Sequence, residues 1–295
     1  MLFFVNKLLQ FEFAKIRKKN DMAKLFFILF FFAFYYSYIK KKLYLCSSIK
    51  TARDMSDTLV ITPTYNEKEN IEAIIRKVFS LPKEFDMLII EDNSPDGTAD
   101  IVKRLMQEFP ERLFIVERKG KLGLGTAYLD GMRWGNEHGY DYMIEMDADF
   151  SHNPDDLIRL YDACASGKGD VVVGSRYVGG KISVVNWPMG RLMMSYYASK
   201  YVRIVTGMKV CDATAGFVCW SRRVLEKMKF DKVKFVGYAF QIEMKYTATR
   251  LGFKVYEVPI IFTDRVLGVS KMSMKIFKEA FFGVFNLKFR NWKNY

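Results

Sequence analysis

The chain has 295 residues, half of them apolar, which is enough to bury a full-sized core and excludes a disordered or disulfide-stapled mini-protein. Its net charge of +13 is uneven: residues 1–54 carry 11 Lys/Arg against three Asp/Glu, leaving +5 on the other 241 residues. A surplus that sits mostly in a Phe-rich tail argues against a nucleic-acid-binding body. Cys46, Cys164, Cys211 and Cys219 form no CxxC pair and only two histidines exist, so a zinc site is not expected and free thiols suit a reducing cytosol.

Leu25 to Ile39 is a run of 15 uncharged residues between Lys24 and Lys40–Lys42. A bilayer span wants about 20, and no small-residue cleavage site follows. Residues 1–54 are therefore expected either to anchor the protein or to precede a working start at Met55; their skewed composition favours the second.

From Asp57 onward, short apolar runs alternate with amphipathic stretches. Strands are expected at 58–63, 85–92, 112–117, 140–146 and 170–175. The stretches between them carry helical spacing: Ile71, Ile74, Ile75 and Val78 mark the first helix, 98–109 the second and "GLGTAYLDGMRWGNEHG" the third. Asn153 as cap and Pro154 in the first turn start a fourth. After Tyr177 the pattern loosens into a helix near 190–206, a strand at 215–220, a helix near 237–251 and a strand "KVYEVPIIF".

Such alternation predicts an α/β fold, with a mostly parallel sheet covered on both faces and ligands beyond the carboxyl ends of the strands. Those ends carry "PTYNE", "EDNSPDGT", "DAD" and "SRY". Asp147 and Asp149 are two apart, so on extended backbone both carboxylates face one way. They would repel unless a divalent cation sat between them and an anionic ligand, as Mg2+ or Mn2+ does with substrate phosphates. Asp92 is either a turn residue or an acceptor for a nucleotide's base or ribose; Asp96 and Gly97 read as turn residues. Glu67 fits a helix first turn. "GLGTAY" touches a phosphate through its amides or supplies packing glycines. Arg176, Arg191, Arg265 and Lys271 would form an anion site if grouped past the sheet edge. His138 and His152 read as surface residues, and no P-loop is present.

In order, "PTYNEKENI", "EDNSPDGT", "GLGTAY", "MDADFSHNP", "GSRY", "NWP", "DATAGF", "FQIEM" and "DRVLGVSK" resemble the dolichol-phosphate (polyprenol-phosphate) mannose synthases, inverting family 2 glycosyltransferases of the GT-A fold. The resemblance runs from Thr58 to Lys271. It implies a nucleoside site at Pro63, Tyr65, Glu67 and Asp92, and Asp147 and Asp149 binding Mg2+ or Mn2+ against the donor diphosphate, with Asp149 catalytic. It further implies Arg176, Arg191 and Ser195 at the acceptor phosphate, with both arginines catalytic alongside Asp149, and Arg265, Ser270 and Lys271 closing over the phosphates. The expected reaction moves mannose from GDP-mannose to a polyprenyl monophosphate; the alternatives are a UDP-glucose-dependent counterpart, another family 2 transfer or a non-catalytic scaffold. Two departures stand out: "DATAGF" where the family more often has "DPTSGF", which leaves Asp212 without a role, and residues 1–54.

The expected organisation is an N-terminal extension over 1–54, a catalytic domain over 55–271 and an amphipathic helix over 272–295. That last segment places Phe277, Phe281, Phe285 and Phe289 on one stripe among five Lys/Arg and one acid. It suits either a helix on an anionic membrane or one packed on the core. The expected location is the cytoplasmic face of a membrane, with no nucleic-acid partner.

Overall fold

The computed structural model describes residues 56–237, 239–264, 281, 283–290 and 292. The expectations for residues 1–54, Arg265, Ser270, Lys271 and Phe277 lie outside the described residues.

The alternating body folds into a seven-stranded sheet. Its strands are β1 (Thr58–Thr64), β2 (Asp86–Glu91), β3 (Leu113–Glu117), β4 (Tyr142–Glu145), β5 (Val171–Ser175), β7 (Val218–Ser221) and β8 (Val255–Pro259), in the order β3-β2-β1-β4-β7-β5-β8. Two short strands, β6 (Val184–Val185) and β9 (Phe262–Thr263), pair separately. β1, β2, β3 and β4 run parallel, and β5 pairs parallel with β8. The sheet is mostly parallel, as expected, with one exception: β7 lies antiparallel between β4 and β5. An apolar strand sequence has no direction of its own, and β7 follows the stretch where the strand–helix alternation has already broken down.

The helices are α1 (Ile71–Phe79), α2 (Thr98–Glu108), α3 (Leu124–His138), α4 (Asp156–Ala165), α5 (Met189–Thr206), α6 (Arg222–Lys227) and α7 (Ala239–Arg250). Ile71, Ile74, Ile75 and Val78 of α1 are fully buried, with Val102 and Leu105 of α2 and Leu157 and Leu160 of α4, in one core layer. On the opposite face Tyr128 and Met132 of α3, Val224 of α6, and Phe240 and Met244 of α7 bury against the sheet. The strands are apolar on both sides because both sides are covered.

The glycines of α3 set how closely it lies on the sheet. A Cβ at Gly131 would sit 2.5 Å from Ile61 on β1, and one at Gly125 would sit 2.8 Å from the Phe240 ring. Two of the glycines in the "GLGTAYLDG" stretch are thus packing glycines, one of the two uses the sequence allows.

A smaller apolar cluster joins Val202 and Val205 of α5, Ile242 and Tyr246 of α7, and Val284 and Leu287. Residues 283–288 are helical, but the Phe281, Phe285 and Phe289 stripe is exposed and Val284 and Leu287 do the packing. No helix among the described residues is long and apolar enough to cross a membrane.

Candidate active site at the carboxyl edge of the sheet

The strand ends converge on a cavity of about 450 Å³. Asp147, Asp149, Ser151, His152, Arg176 and Arg191 line its polar end, joined by Ser195, Thr214, Gln241 and Asp264. Met194, Tyr197, Tyr201, Val202, Ile242 and Phe281 line the rest. One cavity therefore has an acidic corner, a cationic corner and an apolar continuation.

The acidic corner follows β4. β4 ends at Glu145, and Asp147 to Ser151 form a bend with Phe150 at φ 60°. The two aspartates thus face one cavity from a loop, and not from extended backbone as their spacing suggested. Asp147 accepts a hydrogen bond from the Tyr128 hydroxyl at 3.2 Å, and its amide donates to His152 Nδ1 at 3.1 Å. Burial and the Asp147 carboxylate together hold the Tyr128 phenol well above its ordinary pKa, so it remains a donor.

His152 is not the surface residue its Ser, Asn and Pro neighbours suggested. It is 3 % exposed, its ring stacked on Phe217 with centroids 4.8 Å apart and set edge-on to Phe262. Burial lowers its pKa against the pull of Asp147 and Asp149, keeping the ring neutral with Nδ1 free to accept. His138, by contrast, is exposed. Asn153 accepts from the Asp155 amide at 3.1 Å in the turn before α4. The N-cap is Asp155, so the expected cap at Asn153 and first-turn Pro154 are corrected to a turn just ahead of the helix.

The donor set suits a hard cation. Asp147 and Asp149 offer carboxylate oxygens, and Ser151 Oγ is buried beside them with no hydrogen-bond partner among the described residues. A buried hydroxyl left unpaired costs about 1–3 kcal/mol, a cost that a bound cation or its water would remove.

The cationic corner is built around a buried ion pair. Arg176, just after β5, gives Nε and Nη2 to the two Asp212 oxygens at 2.7 Å each, and its own amide donates to Asp212 at 3.0 Å. A further bond reaches Thr214 Oγ1 at 2.9 Å. Burial opposes both charges, yet each partner outweighs it: the guanidinium pKa is raised and the carboxyl pKa lowered. Asp212, left without a role by the sequence, is the counter-ion that fixes Arg176. Its loop is held in turn by Glu257, which accepts from the Cys211 and Asp212 amides, and by the fully buried Lys245, which donates to Ala213 and Ala215 carbonyls.

Arg191, one turn into α5, bonds Asp264 at 2.8 Å and lies 4.3 Å above the Trp187 ring. Ser195, one turn further on, accepts from the Tyr177 hydroxyl at 2.8 Å. Arg176, Arg191 and Ser195 thus line the same cavity.

The first two strand ends form a neighbouring wall. Asp92 is 7 % exposed and is bridged by Arg118, whose Nε and Nη2 meet its two oxygens at 2.6 and 2.8 Å. Arg118 also reaches Thr126 at 2.8 Å and Asp130 at 3.3 Å. Sequence reasoning missed this arginine; its signal was a charged residue directly after β3, in the same edge position as Asp92. Asp96 proves to be a turn residue, accepting from the Thr98 and Lys68 amides at 3.0 Å each. Glu67 precedes α1 and accepts from Asn70 Nδ2 at 3.2 Å, while Lys121 lies 4.8 Å above the Tyr65 ring. Pro63 is half-buried in β1.

Residues 59–232 match the family described as Glycosyl transferase family 2. A polyprenol monophosphomannose synthase of Mycolicibacterium smegmatis is 46 % identical over 234 residues, covering 79 % of this chain and 88 % of its own. An undecaprenyl-phosphate mannosyltransferase of Micrococcus luteus is 44 % identical over 223 residues, covering 75 % and 90 %. Among solved structures, a glucosyl-3-phosphoglycerate synthase of Mycobacterium tuberculosis, in complex with Mn2+, UDP and its product, superposes with a TM-score of 0.55. It is 17 % identical over 78 % of this chain and 77 % of that one, a likeness of fold. Sequence match and sheet topology agree: the chain belongs to glycosyltransferase family 2 and is a glycosyltransferase of the GT-A fold.

Proposed function

We propose that the protein transfers mannose from GDP-mannose to a polyprenyl monophosphate, with inversion at the anomeric carbon. The observation that carries this reading is the cavity itself, which Asp147 and Asp149 line together with Arg176, Arg191 and Ser195, and whose remaining wall includes the apolar side chains Met194, Tyr197 and Tyr201 of α5 and Phe281. The names of the two curated relatives support both mannose and a lipid phosphate acceptor.

Asp147 and Asp149, with Ser151 Oγ beside them, would hold a divalent cation. Bound there, Mg2+ or Mn2+ offsets the charge that grows on the departing nucleoside diphosphate. Pro63, Tyr65, Glu67 and the Asp92–Arg118 pair form the wall offered to the nucleoside.

The acceptor needs no general base, since a phosphate monoester is already an anionic nucleophile at neutral pH. The protein's work is to bring two anions together in line. Arg176 and Arg191 take the attacking phosphate, whose oxygen forms a bond to the anomeric carbon as the bond from that carbon to the diphosphate oxygen breaks. Attack from the face opposite the leaving group inverts the centre. The Arg176–Asp212 pair delivers a guanidinium whose orientation is fixed before the acceptor arrives, so less side-chain freedom is lost on binding.

The test uses the full chain in detergent with GDP-mannose, a polyprenyl phosphate and Mg2+ or Mn2+, with organic-extractable mannosyl lipid measured. The wild type is expected to form the lipid, EDTA to abolish it, and Asp149→Asn to reduce it at least ~100-fold. No lipid product under any of these ions, or equal product from the variant, would overturn the reading.

A further inference from the structure

The motif "FQIEM" carries two polar side chains with different surroundings. Gln241 lines the cavity, whereas Glu243, two residues on in α7, is fully buried. Its Oε2 accepts from the Lys234 and Phe235 amides at 2.9 Å each, and its Oε1 meets the Arg290 guanidinium at 2.6 Å. One carboxylate therefore ties the strap of residues 233–237, which has no regular structure, to both α7 and residues 283–290. A second contact joins the same parts: a Cβ at Gly283 would overlap the Phe235 ring.

The strap also presses on the turn that opens α3. The Val236 carbonyl accepts from the Gly125 amide at 2.8 Å, and a Cβ at Gly123 would stand 2.9 Å from that same oxygen. Gly123 has φ 108°, a backbone that side chains rarely adopt, so the turn is shaped to receive the strap. Leu124, between the two glycines, lines the cavity. The Gly123 carbonyl accepts from Thr126 Oγ1 at 2.8 Å and from Arg118 Nη2 at 3.4 Å, and Arg118 bridges Asp92. A continuous run of contacts leads from Arg290 through Glu243, the strap and the Gly123–Gly125 turn to the Asp92–Arg118 wall.

A carboxylate this deep is stable when its charge is matched and its oxygens are bonded. Arg290 supplies the charge and the two amides supply bonds. Without the guanidinium, turning the carboxylate toward water relieves an uncompensated buried charge and releases the Lys234 and Phe235 amides. The strap then loses its hold on α7. We propose that Glu243 and Arg290 are positioning residues for the sugar-nucleotide side of the cavity, acting through the strap on the turn that opens α3. That this side takes a sugar nucleotide rests on the reading above. Val284 and Leu287 pack on Ile242 and Tyr246 independently of the ion pair, so its loss leaves the acceptor side in place.

The first half of the test reads the strap with no ligand present. Amide hydrogen exchange of the full chain is followed on peptides covering 123–126, 233–237 and, as an internal standard, β2. Arg290→Met removes the charge, and Gly283→Ala pushes on the Phe235 ring without touching it. Both are expected to speed exchange about tenfold at 123–126 and at 233–237 while leaving β2 unchanged. Arg290→Lys keeps the charge and is expected to stay within about threefold of the wild type at both segments.

The second half titrates the same proteins with GDP and Mn2+, and separately with UDP and Mn2+, by calorimetry. For whichever nucleotide the wild type binds, Arg290→Met is expected to raise the Kd about tenfold and Arg290→Lys to restore it, with the KM for polyprenyl phosphate moved less than about twofold. Exchange equal to the wild type in Arg290→Met and Gly283→Ala overturns the proposal, as does faster exchange in β2 as well, which would indicate general loosening. A nucleotide Kd unchanged while the strap opens also overturns it. If strap and turn open together yet the wild type binds neither GDP nor UDP, the proposed function fails and the coupling of Arg290 to the α3 turn stands.

Discussion

Removing the Asp212 carboxylate by Asp212→Ala is expected to harm the protein twice. Asp212 is fully buried and the Arg176 side chain is 9 % exposed, so the pair is screened little by solvent. The substitution strips three hydrogen bonds from Arg176, two from the guanidinium and one from the amide, leaving only Thr214 at 2.9 Å. An uncompensated buried charge costs about 3–5 kcal/mol, a large share of the 5–15 kcal/mol that holds a typical domain together. In thermal unfolding this corresponds to a fall of roughly 10 °C. The second effect is on the acceptor. A guanidinium no longer fixed by Asp212 raises the KM for polyprenyl phosphate about tenfold or more, with a smaller change for the sugar nucleotide. Asp212→Asn keeps one acceptor oxygen and should lose less on both counts. Urea or thermal denaturation, followed by separate KM determinations, checks the two parts. A variant within 1 kcal/mol of the wild type, or one destabilised with both KM values raised equally, would refute the reasoning.

Gly131→Ala places a methyl 2.5 Å from Ile61 between α3 and β1, and is expected to destabilise by about 1–2 kcal/mol, read as a lower urea midpoint, despite better helix propensity. Asp86 is buried and accepts from the Tyr140 hydroxyl at 2.9 Å; burial pushes its pKa up to about 6, against an ordinary 3.8. The folded state thus holds this proton more tightly than the unfolded chain, so its contribution is present at low pH and lost as pH rises from 4 toward 6. Asp86→Asn should match the wild type near pH 3 and exceed its stability by up to about 3 kcal/mol near pH 7, by denaturation at each pH. Arg118→Met leaves Asp92 buried and unpaired, and is expected to raise the KM for the sugar nucleotide more than that for the acceptor, as initial-rate kinetics would show.

Local pattern carried much of the architecture. The apolar runs at β1, β2 and β5 and the spacing of Ile71, Ile74, Ile75 and Val78 are signals within one element, so their strands and helix could be read directly. The direction of β7 was not legible because it depends on what the strand pairs with. The same holds for His152, whose ring is buried by Phe217 and Phe262 from other segments, and for Asp212, whose partner Arg176 lies 36 residues away. The motifs brought Asp147, Asp149, Arg176, Arg191 and Ser195 to one cavity, since each follows a strand or lies on the helix that borders that edge. What fixes those groups in place (Tyr128, Asp212, Lys245) is chosen by tertiary contact and leaves no trace in spacing.

The central claim is that this cavity joins a mannosyl donor to a polyprenyl phosphate. Its most direct test offers the full chain GDP-mannose carrying carbon-13 in the sugar together with an equal amount of unlabelled UDP-glucose, a polyprenyl phosphate and Mg2+ or Mn2+, and weighs the lipid product. The expected product is polyprenyl phosphate bearing only the heavy hexose, absent with Asp149→Asn. A light hexose on the lipid, or nucleotide released with no hexose transferred to the lipid, would contradict it.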